Sequence, residues 1–194
     1  MQALERLPIK YVMMNKTPER FLWAADLLNV EPGHRILEIG CGAGLLAEQI
    51  CSRLSDGAFK AIDKSAQLVE KARKRNKVFI EAGKASFEVA EFKNVSLPDF
   101  HFDRIIAFNV NFFWQNGAVE PGKIRPALKP TGKLLVFYQA PFEISIHSAE
   151  PIRQILVKNS YAILGTVIKP FNPTPAICVT AGPGLTVRQH KLTT

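Results

Sequence analysis

The 194-residue sequence has little cysteine, no long apolar run and no internal repeat. Its three cysteines, Cys41, Cys51 and Cys178, show neither a metal-binding spacing nor an even number for disulfides, which suits a reducing compartment. No apolar stretch approaches the roughly 20 residues that a membrane-spanning helix needs. We therefore expect a cytoplasmic protein without a membrane span or a metal site. Its length suits one domain with a full core.

The chain does carry an excess of positive charge, with a formal net charge of +8. Such a balance raises the prospect of a nucleic-acid or acidic partner. The densest basic run, residues 71–77, falls on a predicted helix, where Glu70 and Lys74 are spaced to pair. We interpret the run as a solvated helix face, so nucleic acid is the less favoured partner.

One stretch organises the chain: a short apolar run that includes Glu38 and then glycines at positions 40, 42 and 44. Residues 36–39 predict a strand buried on both faces of a parallel sheet, and the apolar spacing from Leu45 predicts a helix. The glycines allow a sharp turn and leave no Cβ in the way of a ligand. The stretch predicts a cradle for a nucleoside-bearing cofactor. The alternative is an ordinary tight strand-to-helix turn.

Two acidic residues follow later strands. Residues 59–63 predict a second strand that ends at Asp63, about 20 residues past the glycines, where a carboxylate accepts both ribose hydroxyls in doubly wound folds. The alternative role for Asp63 is capping the next helix, for which Ser65 is the better candidate. Residues 86–91 predict a third strand that ends at Glu91. Glu91 is either a binding residue or simply a solvated surface charge.

Further elements complete an alternating pattern. We predict helices from Pro18 to the Pro32-Gly33 pair, from Ser65 to about Gly83 and over 148–159. Strands are predicted over 102–108, 134–138, 161–169 and 176–180. Pro126 predicts a short or kinked helix before the fifth strand. We expect a single domain with a helical arm or lid over 1–30, a core over 31–180 and a tail over 181–194.

The pattern E-x-G-x-G-x-G differs from the dinucleotide fingerprint, because Leu45 stands where that motif has its third glycine. It resembles motif I of the class I S-adenosylmethionine-dependent methyltransferases, and matching motifs follow in order over residues 21–180. The chain is most similar to the type 11 group, which resembles the ubiquinone and menaquinone methyltransferases. The resemblance implies an α/β, doubly wound, Rossmann-like fold with a seven-stranded, mostly parallel sheet and a C-terminal antiparallel hairpin strand.

The resemblance also implies S-adenosylmethionine as the cofactor and S-adenosylhomocysteine as the product. Glu38 would lie near the amino-acid end, Asp63 at the ribose, and Glu91 and Leu68 at the adenine. The predicted cofactor-binding set is Glu38, Gly40, Cys41, Gly42, Ala43, Gly44, Asp63, Lys64, Leu68, Glu91, Phe92 and Asn109.

The acceptor side is less defined. An aromatic cluster after the fourth strand predicts a substrate wall, and the alternative is that it closes the edge of the sheet. The predicted substrate-side residues are Tyr11, Asn111, Phe113 and Trp114. Enzymes that methylate the amino group of adenine or cytosine typically have a Pro-Pro pattern here, and residues 109–112 lack it. We therefore do not expect this activity.

The predicted function is in-line methyl transfer to a small molecule. The alternatives are a methyltransferase acting on RNA or protein, or a cofactor-binding protein without transfer activity. No catalytic base is predicted. His147, Tyr138 and Tyr11 are within reach by sequence position only, whereas His34 and His101 precede strands and should lie at the far edge of the sheet.

Overall fold

The computed structural model describes residues 17–99, 101–115 and 118–184. The helices are α1 (Glu19–Leu28), α2 (Leu45–Cys51), α3 (Ala66–Arg75), α4 (Lys77–Glu81), α5 (Glu120–Ile124) and α6 (Glu150–Lys158). The strands are β1 (Arg35–Ile39), β2 (Ala58–Asp63), β3 (Ala85–Val89), β4 (Phe102–Phe108), β5 (Leu128–Tyr138), β6 (Tyr161–Lys169) and β7 (Ala176–Pro183).

The seven strands form one sheet in the order β3-β2-β1-β4-β5-β7-β6. Strands β1 to β5 pair in parallel, and β7 runs antiparallel to both of its neighbours, β5 and β6. The predicted doubly wound α/β fold with a C-terminal antiparallel strand is therefore confirmed.

Apolar side chains cover both faces of the sheet. In β1, Ile36 packs toward α1, α2 and α3, whereas the next residue, Leu37, packs into the cluster that includes Leu156 of α6. Both side chains are fully buried. This two-sided burial is why the strand reads as a continuous apolar run rather than an alternating one.

The strand order reverses beside β1, since β2 pairs on one side of it and β4 on the other. In open parallel sheets, ligands bind beyond the carboxyl ends of the strands at this reversal. The glycine loop follows β1 directly and so lies at that position.

Two helix predictions need correction. The helix predicted to run to Gly83 breaks at Asn76, whose side-chain Nδ2 donates to the carbonyls of Gly44 (3.0 Å) and Ala72 (2.9 Å). Helix α1 ends at Leu28 because Asn29 adopts a left-handed conformation (φ 46°), so it does not reach the Pro32-Gly33 pair.

The region around Pro126 matches the prediction of an interrupted helix: α5 is five residues long and passes into a short 3₁₀ turn. Strand β5 begins earlier than predicted. Phe102 pairs with Leu128 but Arg104 with Lys133, so residues 129–132 form an excursion from the ladder. Strand β7 continues past the predicted end at residue 180. Within the described residues, no helix is long and apolar enough to cross a membrane.

Candidate active site

Two adjoining cavities lie beyond the carboxyl ends of β1, β2 and β4 in the described structure. The first, the glycine-loop cavity, has a volume of about 530 Å³ and a wall that includes Arg20, Glu38 and Gly42. The second, the β2 cavity, has a volume of about 450 Å³ and a wall that includes Asp63 and Glu91. Both cavities are lined by Gly40, Phe108 and Asn109, which makes them neighbouring parts of one cleft.

Two glycines of the loop have different surroundings: Gly42 borders open space, and Gly44 packs tightly against its neighbours. Gly42 has a φ of 53°, and a Cβ built there meets no atom within 4 Å, so a side chain would enter the cavity. Gly44 is different, because a Cβ there would come within 2.6 Å of Asn76 Nδ2. Gly44 lines neither cavity and packs against Ala72 of α3.

Glu38 is a buried acid that faces the glycine-loop cavity. Its side chain is 2% exposed, and among the described residues its Oε2 has no hydrogen-bond partner. Burial, with a further contribution from the nearby Asp63 charge, raises the pKa of Glu38 to about 8. A buried polar atom without a partner is costly, so this oxygen is suited to a cationic or hydrogen-bonding ligand.

Asp63 ties the glycine loop to the end of β2. Its Oδ2 accepts the Gly42 N–H (2.8 Å), and its Oδ1 accepts the Ser65 N–H (2.9 Å). Ser65 is the cap of α3, since its Oγ accepts the Leu68 N–H at 3.3 Å. Each Asp63 oxygen keeps a further lone pair for a ligand in the β2 cavity.

The β2 cavity has an apolar wall with charges at its rim. The rings of Phe92 and Phe112 stack with centroids 5.6 Å apart. Glu91 is exposed and lies 2.6 Å from Lys93 Nζ, which lowers the pKa of Glu91. Lys64 also lines this cavity. The flat aromatic wall and the adjacent carboxylate suit a heteroaromatic ring with an amino group.

Asn109 joins the ends of β4 and β5 where the two cavities meet. Its backbone is left-handed (φ 54°), its Oδ1 accepts the Gln139 N–H (2.8 Å), and its Nδ2 donates to the Gln139 carbonyl (2.9 Å). The two bonds hold the floor of the cleft in place. Cys41 and Ala43 line the glycine-loop cavity, and burial raises the pKa of the Cys41 thiol above its usual range.

Three other predicted positions lie away from both cavities. Leu68 lines neither cavity, and the apolar wall comes from Phe92 and Phe112 instead. Phe113 is fully buried in the core and lines neither cavity, whereas its neighbour Phe112 lines the β2 cavity. Trp114 packs on Tyr138 at 4.9 Å and lines neither cavity.

The remaining predictions divide by location. Asn111 lines the β2 cavity. Tyr11 lies outside the described residues. His147 is exposed in a 3₁₀ turn, and neither it nor Tyr138 lines either cavity. Sequence reasoning missed Arg20, Gln139 and Thr174, which line the glycine-loop cavity but carry no motif that marks them.

The sequence of residues 36–132, half of the chain, matches a family model described as a methyltransferase domain. The matched range contains the glycine loop, Asp63, Glu91 and Asn109. The chain belongs to this methyltransferase family. Its strand order and its cleft beyond β1 place it among the class I S-adenosylmethionine-dependent methyltransferases.

This methyltransferase is 33% identical over 101 residues to a malonyl-[acyl-carrier protein] O-methyltransferase of Priestia megaterium. The match covers 52% of the chain but only 35% of that relative's length.

Two solved structures share its fold. A [4+2]-cyclase, SpnF, has a TM-score of 0.70 at 16% identity, covering 87% of this chain and 82% of the cyclase. The magnesium protoporphyrin IX methyltransferase of Synechocystis PCC 6803, solved with bound S-adenosylmethionine, has a TM-score of 0.69 at 16% identity, covering 86% of this chain and 79% of that one. At such identities these likenesses concern the fold alone.

Proposed function

We propose that this chain binds S-adenosylmethionine and transfers a methyl group to a small-molecule acceptor. The observation that carries the proposal is the buried, unpartnered Oε2 of Glu38 facing a cavity that the absent side chain of Gly42 keeps open. A nucleoside-bearing cation that ends in an amino group would give Glu38 Oε2 a hydrogen-bond partner and would fill the space beside Gly42.

The residues present fit that cofactor. Glu38 would hold the amino group, Asp63 the ribose hydroxyls, and Glu91 the adenine amino group beside the Phe92–Phe112 wall. Backbone at Gly40, Cys41, Gly42 and Ala43 would line the cofactor's path, with Lys64 and Asn109 at its sides.

The cofactor would supply a methyl group on a sulfonium, whose departure leaves a neutral thioether. The protein's own task is then to bind, orient and exclude water, and orientation alone can contribute on the order of 7 kcal/mol or more to lowering a barrier. Among the described residues, no histidine, lysine or tyrosine lines the glycine-loop cavity. We therefore favour acceptors whose reacting atom is already nucleophilic at neutral pH.

A small-molecule acceptor is supported by the names of two similar proteins, one a malonyl-[acyl-carrier protein] O-methyltransferase and one a magnesium protoporphyrin IX methyltransferase. Transfer to RNA is the second candidate, and the net charge of +8 is the observation that favours it. The cyclase with this fold is the reason to test binding and transfer separately.

The first experiment is calorimetric titration of the whole chain with S-adenosylmethionine, with NAD as the control. Preference for NAD would refute the proposal. The second is transfer of a tritiated methyl group to fractionated metabolites and, in parallel, to total RNA. Label in the metabolite fraction supports the small-molecule acceptor, label in RNA supports the second candidate, and tight binding without transfer indicates a binding protein.

A further inference from the structure

Two consecutive residues at the end of α3 hold the glycine loop by its carbonyl groups. Arg75 Nε donates to the Ala43 carbonyl (3.2 Å), and Asn76 Nδ2 donates to the Gly44 carbonyl (3.0 Å). The side chains of Arg75 and Asn76 line neither the glycine-loop cavity nor the β2 cavity. They therefore contact the loop without contacting the space that a cofactor would fill.

The identity of Asn76 is not explained by its own backbone. Asparagine is common at helix ends because it tolerates the left-handed conformation, but the φ of Asn76 is −102°. Its side chain is fully buried, and among the described residues its Oδ1 has no hydrogen-bond partner. A buried polar atom without a partner destabilises the folded chain, which an apolar side chain of similar size would avoid. The asparagine is therefore explained by the bonds that its Nδ2 makes, to Gly44 and to the Ala72 carbonyl (2.9 Å).

Close packing of α3 on the loop makes these bonds possible. A Cβ at Gly44 would lie 2.6 Å from Asn76 Nδ2 and 2.9 Å from Ala72 Cβ, so glycine is required there. From the end of β2, Asp63 Oδ2 accepts the Gly42 N–H at 2.8 Å. Three successive loop residues are therefore each bonded to a side chain from outside the loop, while the Cβ position of Gly42 stays open toward the glycine-loop cavity.

A glycine-rich loop binds a ligand more tightly when the fold orders it in advance. Glycine loses more conformational freedom on ordering than any other residue. If the ligand alone ordered the loop, that loss of entropy would be part of the binding free energy and would weaken binding. In this chain the bonds from α3 and β2 order the loop when the chain folds.

We propose that Asn76 and Arg75 are positioning residues that fix the glycine loop in the conformation that receives the cofactor's amino-acid end. The proposal rests on the proposed function and deepens it, because it assigns part of the cofactor affinity to two residues outside both cavities. Asn76 contributes the larger part, since it is fully buried and makes the shorter bond, whereas Arg75 is half-buried.

Calorimetry on the whole chain tests the proposal with two ligands. One is S-adenosylhomocysteine, and the other is methylthioadenosine, which keeps the adenine, the ribose and the sulfur but lacks the amino-acid end. The variants are Asn76→Ala, Arg75→Met and Arg73→Met. Arg73 is the matched control, because it lies on the same helix and its Nε and Nη2 donate to the Phe87 carbonyl of β3 (3.2 and 2.7 Å) rather than to the loop.

The expected result is a selective loss of affinity for the longer ligand. Asn76→Ala should bind S-adenosylhomocysteine at least about tenfold more weakly than the wild type, Arg75→Met about fivefold, and Arg73→Met within about twofold. All three variants should bind methylthioadenosine within about twofold of the wild type, because that ligand lacks the group that the fixed loop receives. A merely structural role would weaken the binding of both ligands together.

The positioning proposal is overturned if Asn76→Ala keeps the wild-type affinity for S-adenosylhomocysteine, or loses affinity for both ligands equally. If circular dichroism shows that Asn76→Ala does not fold, the comparison of Arg75→Met with Arg73→Met decides by the same criteria. Failure of S-adenosylhomocysteine to bind the wild type refutes the proposed function instead, so the two failures are distinguishable.

Discussion

Both ends of the parallel strands carry charged residues, but those at the amino end are paired and Glu38 at the carboxyl end is not fully hydrogen-bonded. At the amino end, Asp103 accepts the Arg35 N–H (2.8 Å) and pairs with Lys129 Nζ (2.8 Å), while Arg104 donates to the carbonyls of Leu28 and Asp103. At the carboxyl end, Glu38 leaves an oxygen without a partner among the described residues. Charges that the fold satisfies stabilise it, whereas a buried group left unsatisfied marks a place for a ligand.

The amino end also contains a polar cavity, lined by His34, Asp103, Arg104 and Lys133 among others. His34 Nδ1 accepts the Glu31 N–H (3.1 Å), and burial lowers the pKa of His34. The presence of a cavity therefore does not distinguish the two ends. What distinguishes them is how completely the charged groups are paired, and the following predictions test that difference.

The largest effect is expected at Gly42. Gly42→Val should reduce S-adenosylmethionine binding at least about a hundredfold, because the side chain would occupy the open space of the cavity. Gly83→Val is the matched control: Gly83 also has a positive φ (72°) and an open Cβ position, but it lies outside both cavities. Both variants should lose stability from backbone strain. Equal loss of binding in the two variants, measured by calorimetry, would contradict the placement of the site.

Asp63→Ala should weaken S-adenosylmethionine binding by about 1–3 kcal/mol, the usual cost of leaving hydrogen-bonding groups without partners. Ser65→Ala provides the control, since it removes the cap of α3 and leaves the bond between Asp63 and Gly42 in place. It should lower the free energy of unfolding by about 1 kcal/mol and leave binding unchanged. Unchanged affinity in Asp63→Ala would show that Asp63 only ties the glycine loop to β2.

Asp103→Ala should show the opposite division of effects. It leaves the Arg35 N–H and the half-buried Lys129 ammonium without their partner, so the free energy of unfolding should fall by about 1–3 kcal/mol. Binding of S-adenosylmethionine should stay within twofold of the wild type. A marked loss of affinity in the folded variant would remove the proposed distinction between the two ends.

A further prediction concerns the pH dependence of stability. The pKa of Glu38 is about 8 in the folded chain against 4.5 for an unperturbed glutamate, so the folded state binds more protons between these values. Its contribution to the free energy of unfolding is therefore present below about pH 4.5 and lost as pH rises through 8, by up to about 1.4 kcal/mol per unit. Denaturant titrations from pH 5 to 9 should show this decline in the wild type and a flatter profile in Glu38→Gln. Parallel profiles would contradict the assignment.

Local sequence was sufficient for much of the fold and for part of the site. Strands with consecutive apolar residues, the loop glycines and the Ser65 cap each depend on neighbouring residues, and all were predicted. Asn76 was not, because the interaction that breaks the helix is a side-chain bond to Gly44, 32 positions away. Similarly, the orientation that turns Phe112 to the cleft and Phe113 to the core depends on a 3₁₀ turn that no pattern marked.

Local sequence likewise could not predict that Arg20 and Gln139 line the glycine-loop cavity. They reach the cavity because α1 and the end of β5 both pack beside the glycine loop, and no motif connects such distant positions in sequence. Sequence therefore predicted the glycine loop, Asp63 and Glu91, which line the two cavities. It could not predict the charged groups that tertiary packing adds.

The central claim is that Glu38 is left unpartnered by the fold in order to receive a cation. The most direct test is calorimetry of S-adenosylmethionine binding at pH 7 in phosphate and in Tris, whose ionisation enthalpies differ widely. A cationic amino group favours ionised Glu38, so the wild type should release close to one proton on binding, and Glu38→Gln should bind more weakly and release none. Equal proton release by the two proteins, or none by the wild type, would contradict the claim.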